Sequence, residues 1–421
     1  MTEAQPVGVG IPRLQEIGFL EQTMRLVAAG QTYDEIRLGL IGWMEALREG
    51  PASSGRYMGV RRKAGAGGRQ ETRFMDNATE ALAELMRLGW VERTTLPTTS
   101  QALAVYRNRR FASTASGDTW LEELNANQLA GRDRLLSALW PVHPQLRGYY
   151  TLLASRPITI PTLNWTDVFP DGVEDFGPSG RRRYLDELAT RVTRAGQTGL
   201  LGWIYEPDSL RAGIAAVVEK RSARAQQQGR PFPYARAQDF TRDCHKGLVA
   251  FAFESAGLGI GFTTHEILRR WGRDLGIANF SYHVPDTVAA LRCWATAELD
   301  PHDGLITAFR RGATDHADHV LAELPKAYQD ARRAQGGGAF VPAYALRQLV
   351  CWRLGLNGGV FDRAVRDLLQ GTRDAPFRIT PDRGYAGKVP PTESPLVLTD
   401  SHGRKSNYLL IMLTPIERSS R

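Results

Sequence analysis

Residues 77–125 read NATEALAELMRLGWVERTTLPTTSQALAVYRNRRFASTASGDTWLEELN, and the change of period along this stretch decides the fold. Asn77, with Glu80 three residues on, has the spacing of a helix N-cap and capping box. Ala78, Leu82, Leu85 and Met86 recur at helical spacing, and Gly89 stands where a left-handed glycine closes a helix. A short apolar strand is expected at Trp90-Val91. The turn Leu96-Pro97-Thr98-Thr99-Ser100 then leads to a second strand, in which Leu103 and Val105 alternate and which continues into Tyr106-Arg107-Asn108-Arg109-Arg110. After Phe111, Ser116-Gly117 reads as a break ahead of an amphipathic helix from Trp120 to Leu124.

Upstream, a helix is expected from Leu14 to Ala28. Thr32 and Glu35 then have N-cap and N3 spacing for a second helix, whose apolar stripe is Ile36, Leu40, Trp43, Met44 and Leu47. Between it and Asn77 lies RYMGVRRKAGAGGR, residues 56–69, a basic glycine-rich loop able to order on a phosphate backbone through counterion release. Helix, hairpin, basic second strand and helix resemble the second half of a winged helix-turn-helix, of the kind found in small bacterial regulators. The resemblance implies DNA binding, with the helix that starts at Asn77 in the major groove and presenting Asn77, Thr79, Glu80, Ala83 and Arg87. Arg107, Arg109 and Arg110, with the loop residues Arg56, Arg61, Arg62, Lys63 and Arg69 and with Arg73 just ahead of the helix, would hold phosphates.

At 421 residues, two or three compact units are expected. Hydrophobic residues at 42% and charged residues at 23% fit a folded protein and exclude a disordered one. The formal net charge is +8, and arginine supplies nearly all of the positive side. A GC-rich source would account for arginine in place of lysine but not for the net balance. Guanidinium groups bind phosphate bidentately, so this surface suits nucleic acid. Three scattered cysteines (Cys244, Cys293, Cys351) argue against a disulfide framework or a zinc ribbon. No run approaches the length of a membrane span, and the first residues lack the features of a signal peptide. A cytoplasmic protein is expected.

The first unit is placed at residues 11–127, a helical middle unit at 128–335 and a C-terminal unit at 339–421, after the Gly336-Gly337-Gly338 run. The middle is read as helices around Leu135-Leu136, Leu139-Trp140 and residues 149–153, 181–192, 212–224, 237–256, 264–275, 284–299, 305–310 and 315–333. A loop is expected over residues 164–180, with Ser179 as the N-cap of the helix that follows. Arg181, Arg182 and Arg183 fall in that helix's first turn, where cations are unfavourable unless an anion is near, a pointer to phosphate. The C-terminal unit repeats the plan of the first. One helix carries Ala345, Leu346, Leu349 and Val350; a second carries Phe361, Val365, Leu368 and Leu369 and closes at Gly371. Strands follow at Phe377-Ile379, Leu396-Val397-Leu398 and residues 408–413. Two loops would be its wings, one with Arg383 and Lys388, the other with His402, Arg404 and Lys405. The fold class expected is mainly α with small β-hairpins, α+β, with tandem winged helix-turn-helix domains flanking the helical middle. This order resembles the multi-winged-helix proteins of bacterial anti-phage and mobile-element loci.

Catalytic signatures are sparse. Gly384-Tyr385-Ala386-Gly387-Lys388-Val389 is too short for a phosphate loop and lacks the magnesium-binding hydroxyl. Gly257-Leu258-Gly259-Ile260-Gly261 fails the dinucleotide spacing and reads as a helix-ending turn. His302-Asp303 with Asp315-His316 and Asp318-His319 has the grammar of a metal site, a carboxylate beside each histidine, but also that of an acidic helix start. Asp382, Asp400 and Lys405 are wrongly spaced for a nuclease strand, and Cys244-His245 is a bare dipeptide. A non-enzymatic DNA-binding protein without cofactor or metal is therefore expected, a regulator or a subunit of a defence or mobile-element system. The alternatives are a metal-dependent nuclease targeted by winged helices, and a winged-helix scaffold for a protein partner.

Overall fold

A computed structural model describes residues 14, 16–49, 67–94, 110–170, 176–229, 234, 236–285, 288–296, 316–383, 396–399 and 405–416. The molecule is mainly helical, with small antiparallel sheets. Helices α1 (Gly18–Ala28), α2 (Tyr33–Glu49) and α3 (Gly67–Arg87) lead into strands β1 (Val91–Arg93) and β2 (Phe111–Ser113). The strands pair antiparallel, and Thr32, between α1 and α2, bridges to Arg110 at the foot of β2. As its spacing requires, Glu35 accepts from the Thr32 amide at 2.7 Å. Gly89 takes a φ of 70°, and the Trp90 amide reaches back to the Leu85 carbonyl at 2.9 Å, which closes α3 as expected.

Two local expectations fail here, and a third lies outside the described residues. Asn77 caps nothing, because α3 begins ten residues earlier at Gly67, and residues 67–69, the end of the expected loop, are helix. The paired part of the second strand lies at Phe111–Ser113, and residues 103–109 fall outside the described part. Ser116-Gly117 is no break but the first turn of α4 (Ala115–Ala126), capped by Thr114. Glycine is needed there for packing: a Cβ on Gly117 would stand 2.2 Å from the Trp90 carbonyl oxygen.

Helices α5 (Gln128–Val142) and α6 (Pro144–Ser155) follow, with Asn127 ending α4 and capping α5. Strand β3 (Ile158–Pro161), the one-turn helix α7 (Trp165–Val168), α8 (Pro178–Gln197), α9 (Pro207–Gln227), α10 (Ala237–Ser255) and α11 (Phe262–Leu275) come next. Gly177, not Ser179, is the N-cap of α8. The turn at Gly257, φ 90°, follows α10 as expected. Strands β4 (Ala278–Ser281) and β5 (Ala290–Ala295) complete a sheet in the order β3-β5-β4, where a helix over residues 284–299 is expected from the sequence. All three strands are buried on both faces, so they show none of the alternation that betrays a half-exposed strand.

The chain closes with α12 (Ala317–Ala334), β6 (Val341–Pro342), α13 (Ala343–Leu354), α14 (Gly358–Leu369), β7 (Phe377–Asp382), β8 (Leu396–Thr399), β9 (Lys405–Tyr408) and β10 (Leu410–Pro415). The sheet order is β6-β10-β7, and β8 and β9 form a separate hairpin between β7 and β10. The expected strand over residues 408–413 is thus divided between β9 and β10. The start of the molecule and its end are alike in part: a helix, a segment that meets the last strand or the residue just before it, two helices, then strands of which the last pairs with the one after the third helix. The segment is a single bridged residue, Thr32, at the start and strand β6 at the end, where the β8–β9 hairpin is added.

Among the described residues there are two hydrophobic cores. One runs without a break from Leu14 to Cys293, so α1–α3 share it with the central helices and sheet. The other joins α12–α14 and their sheet to Val284 and Trp294. The Trp294 indole donates to the Leu356 carbonyl at 3.1 Å and couples the second core to β5. Among the described residues no helix is long and apolar enough to cross a membrane.

Candidate nucleic-acid interface

Ala78, Ala81, Leu82 and Leu85 seat α3 in the core, which leaves the helix edge named from the sequence partly open. Thr79 and Arg87 are exposed, while Asn77, Glu80 and Ala83 are half-buried. Two of these side chains are held from within. The Tyr33 hydroxyl lies 2.8 Å from Thr79 Oγ1, and Arg87 pairs with Glu84 one turn earlier. Glu84 itself is wholly buried and meets His143 Nε2 at 2.7 Å. A carboxylate out of water is tolerable only when paired in this way. Glu84 is therefore taken up by the core and by Arg87 and is not displayed to a ligand. The same pairing spends the charge of Arg87.

Arg110 stands at the foot of the hairpin, its carbonyl accepting from the Thr94 hydroxyl at 2.9 Å and its side chain exposed. Its positive charge helps hold Glu35 below the usual carboxylate range, after the larger effect of the hydrogen bonds from Thr32. Arg69 and Arg73 lie on the first turns of α3, with side chains outside the described part. Arg56, Arg61, Arg62, Lys63, Arg107, Arg109 and Arg404 lie outside the described residues, and Lys405 opens β9 with its side chain likewise outside. Arg383 is tied to the β8–β9 hairpin, donating to Ser406 Oγ at 2.6 Å and lying 5.6 Å from the centre of the Tyr408 ring.

Arg181, Arg182 and Arg183 do sit in the first turns of α8. Arg181 donates to the Phe176 carbonyl at 3.0 Å, and Arg183 lies 5.1 Å over the Phe169 ring. Arg182 and Arg183 line an open groove with Asp186 and Glu187. Asp186 is bound by Arg211 at 2.5 Å, so the groove is of mixed charge. This cluster is assigned no anion.

The metal reading finds little to assemble. The His316 and His319 rings are 5.7 Å apart, but Asp318 is engaged by Arg373 at 2.8 Å, and residues 302, 303 and 315 lie outside the described part. Among the described residues no three His, Cys, Asp or Glu side chains group to hold a metal ion. Asp382 ends β7 opposite Leu410, and Asp400 lies outside.

The Cys244-His245 dipeptide divides its two side chains. Burial pushes the Cys244 thiol far up and keeps it protonated, while His245 Nε2 faces the Tyr282 hydroxyl at 3.4 Å. His245 belongs to a polar cluster without a signature in the sequence, since its members come from α6, α10, α11 and the β4–β5 sheet. His265 Nδ1 lies 3.4 Å from the Tyr149 hydroxyl, and Arg269 grips Glu266 through Nε at 2.5 Å and Nη2 at 2.6 Å. Arg269 also stacks 4.0 Å over Phe280. Burial pushes His245 down to about 4 and His265 down to about 3, and the Cys293 thiol up to about 12. Both rings are neutral at physiological pH, and the cluster serves the core.

No protein-family profile, curated protein or solved structure matches the chain.

Proposed function

We propose that the chain is a non-enzymatic DNA-binding protein that engages duplex DNA through two winged-helix modules, α1 to β2 and α12 to β10. The observation that supports this reading is the shared connectivity of its two ends. In each, the segment after the first helix (the single bridged residue Thr32 at the start, strand β6 at the end) meets the last strand or the residue just before it, and that strand pairs with the one that follows the third helix. This is the order of a winged helix, with α3 and α14 as third helices and the β8–β9 hairpin as an extension of the second wing. A net charge of +8 favours a polyanionic partner. The role in view is a regulator, or a subunit of a bacterial defence or mobile-element system.

A second reading, docking of a protein partner by the first module, is favoured by one observation. On the described part of α3, Arg87 is neutralised by Glu84, and Glu80 adds a carboxylate. Incubation with plasmid DNA, with and without magnesium or manganese, separates the readings. A mobility shift without cleavage, lost when Arg61, Arg62 and Arg69 are changed to glutamate, is expected. No shift at low salt would favour protein docking, and metal-dependent cleavage would favour a nuclease.

A further inference from the structure

The third helices of the two modules differ in how their charges are disposed. On α14 the charged residues are Asp362, Arg363, Arg366 and Asp367. Both carboxylates are drawn back toward the protein. Asp362 accepts from Nη1 of the buried Arg347, 3.2 Å from each oxygen, and Asp367 faces Arg373 Nε at 3.9 Å. Among the described residues neither arginine is paired with a carboxylate. Arg363 is exposed and has no hydrogen bond or ion pair among the described residues. Arg366 is half-buried, and its Nε is shielded from solvent without a partner. Three residues apart on one helix, they share a face. Arg378 on β7, the strand after α14, is exposed as well. On α3, by contrast, the one described arginine is already paired.

We infer that the Arg363–Arg366 face of α14 is a contact surface for the phosphates of duplex DNA. The inference rests on the winged-helix reading above and deepens it by naming the helix. Exposed Arg363 keeps its donors for a phosphate and Arg366 adds its charge to the same face, whereas Arg87 would first have to give up Glu84. Tying back Asp362 and Asp367 also removes the repulsion that acidic residues on a groove-facing helix would impose. The sequence alone points instead to the wing cations Arg383, Lys388, Arg404 and Lys405.

The test is fluorescence anisotropy of a labelled duplex titrated with the full chain over a range of salt. The proteins are the wild type, Arg363→Glu/Arg366→Glu, Arg363→Glu alone and, as a control on α9, Arg224→Glu. The double variant is expected to bind about tenfold or more weakly, with a salt slope shallower by about two, one for each phosphate no longer neutralised. The control is expected to match wild type. Arg363→Glu alone, at the more exposed position, carries the test should the double variant unfold. Wild-type affinity and slope in the folded α14 variants would overturn the inference and leave the proposed function standing. An equal loss in the Arg224→Glu control would also overturn it, because the effect would then be one of net charge. If the wild type binds no duplex, the DNA-binding reading falls and takes this inference with it.

Discussion

At the residue scale, the Glu84–His143 pair carries the largest local stake. Both side chains are fully buried, 2.7 Å apart, and they join α3 to the junction of α5 and α6. Removing Glu84 leaves the buried His143 Nε2 without its partner, and removing His143 leaves buried Glu84 with Arg87 alone, each a loss of about 1–3 kcal/mol. Glu84→Ala and His143→Ala are therefore each expected to lower the urea midpoint sharply. In the double variant the costs should fall well short of additive, by about 1–3 kcal/mol. Additive losses in chemical denaturation would show that the two groups do not depend on each other. Legibility at this scale was uneven. Gly89 and the Thr32–Glu35 box could be read because their signals are local and backbone-driven. Glu84 could not, since a carboxylate on a helix reads as solvent-facing until the partner 59 residues away is known.

At the scale of elements, helices with one buried stripe were legible, and strands with two buried faces were not. The β5 stretch Ala-Leu-Arg-Cys-Trp-Ala is buried along almost its whole length, and its lack of alternation makes it look helical. The start of α3 is hidden for a different reason. Asn77 and Glu80 have capping-box spacing, yet both fall inside a longer helix, where such spacing arises by chance. Burial in the α6–α10–α11 layer also has a consequence for pH. His265, with no exposed surface, is held at about 3, against an ordinary value of 6.5. As pH falls below 6.5, the unfolded chain takes a proton that the folded chain refuses. This stabilisation is present above 6.5 and declines as pH drops toward 3, by about 1.4 kcal/mol per pH unit. His245, pushed down to about 4, acts in the same direction. In urea melts between pH 6.5 and 4.5, His265→Phe is expected to flatten the decline by about one proton. An unchanged slope would mean that His265 is not held neutral.

At the scale of the whole molecule, the mainly helical character with small antiparallel sheets was legible, while the way the chain divides its core was not. Helix α12 shares the second core although it lies on the far side of the Gly336-Gly337-Gly338 run that reads as a boundary, and β6 is two residues long. Basic residues are easy to find in the sequence. Which of them remain free is not, because that depends on ion pairs such as Arg87–Glu84 and Arg347–Asp362 that only the fold creates. The proposed DNA binding by two modules would make the affinity a sum of phosphate contacts, each releasing counterions. The most direct measurement is therefore the affinity of the intact chain for a short duplex as monovalent salt is raised from about 50 to about 200 mM, the range over which multiple phosphate contacts weaken binding by orders of magnitude. A straight fall of log affinity with log salt, with a slope corresponding to about six or more phosphates, is the expected result. Absence of binding at the lowest salt, or an affinity that salt does not change, would contradict it.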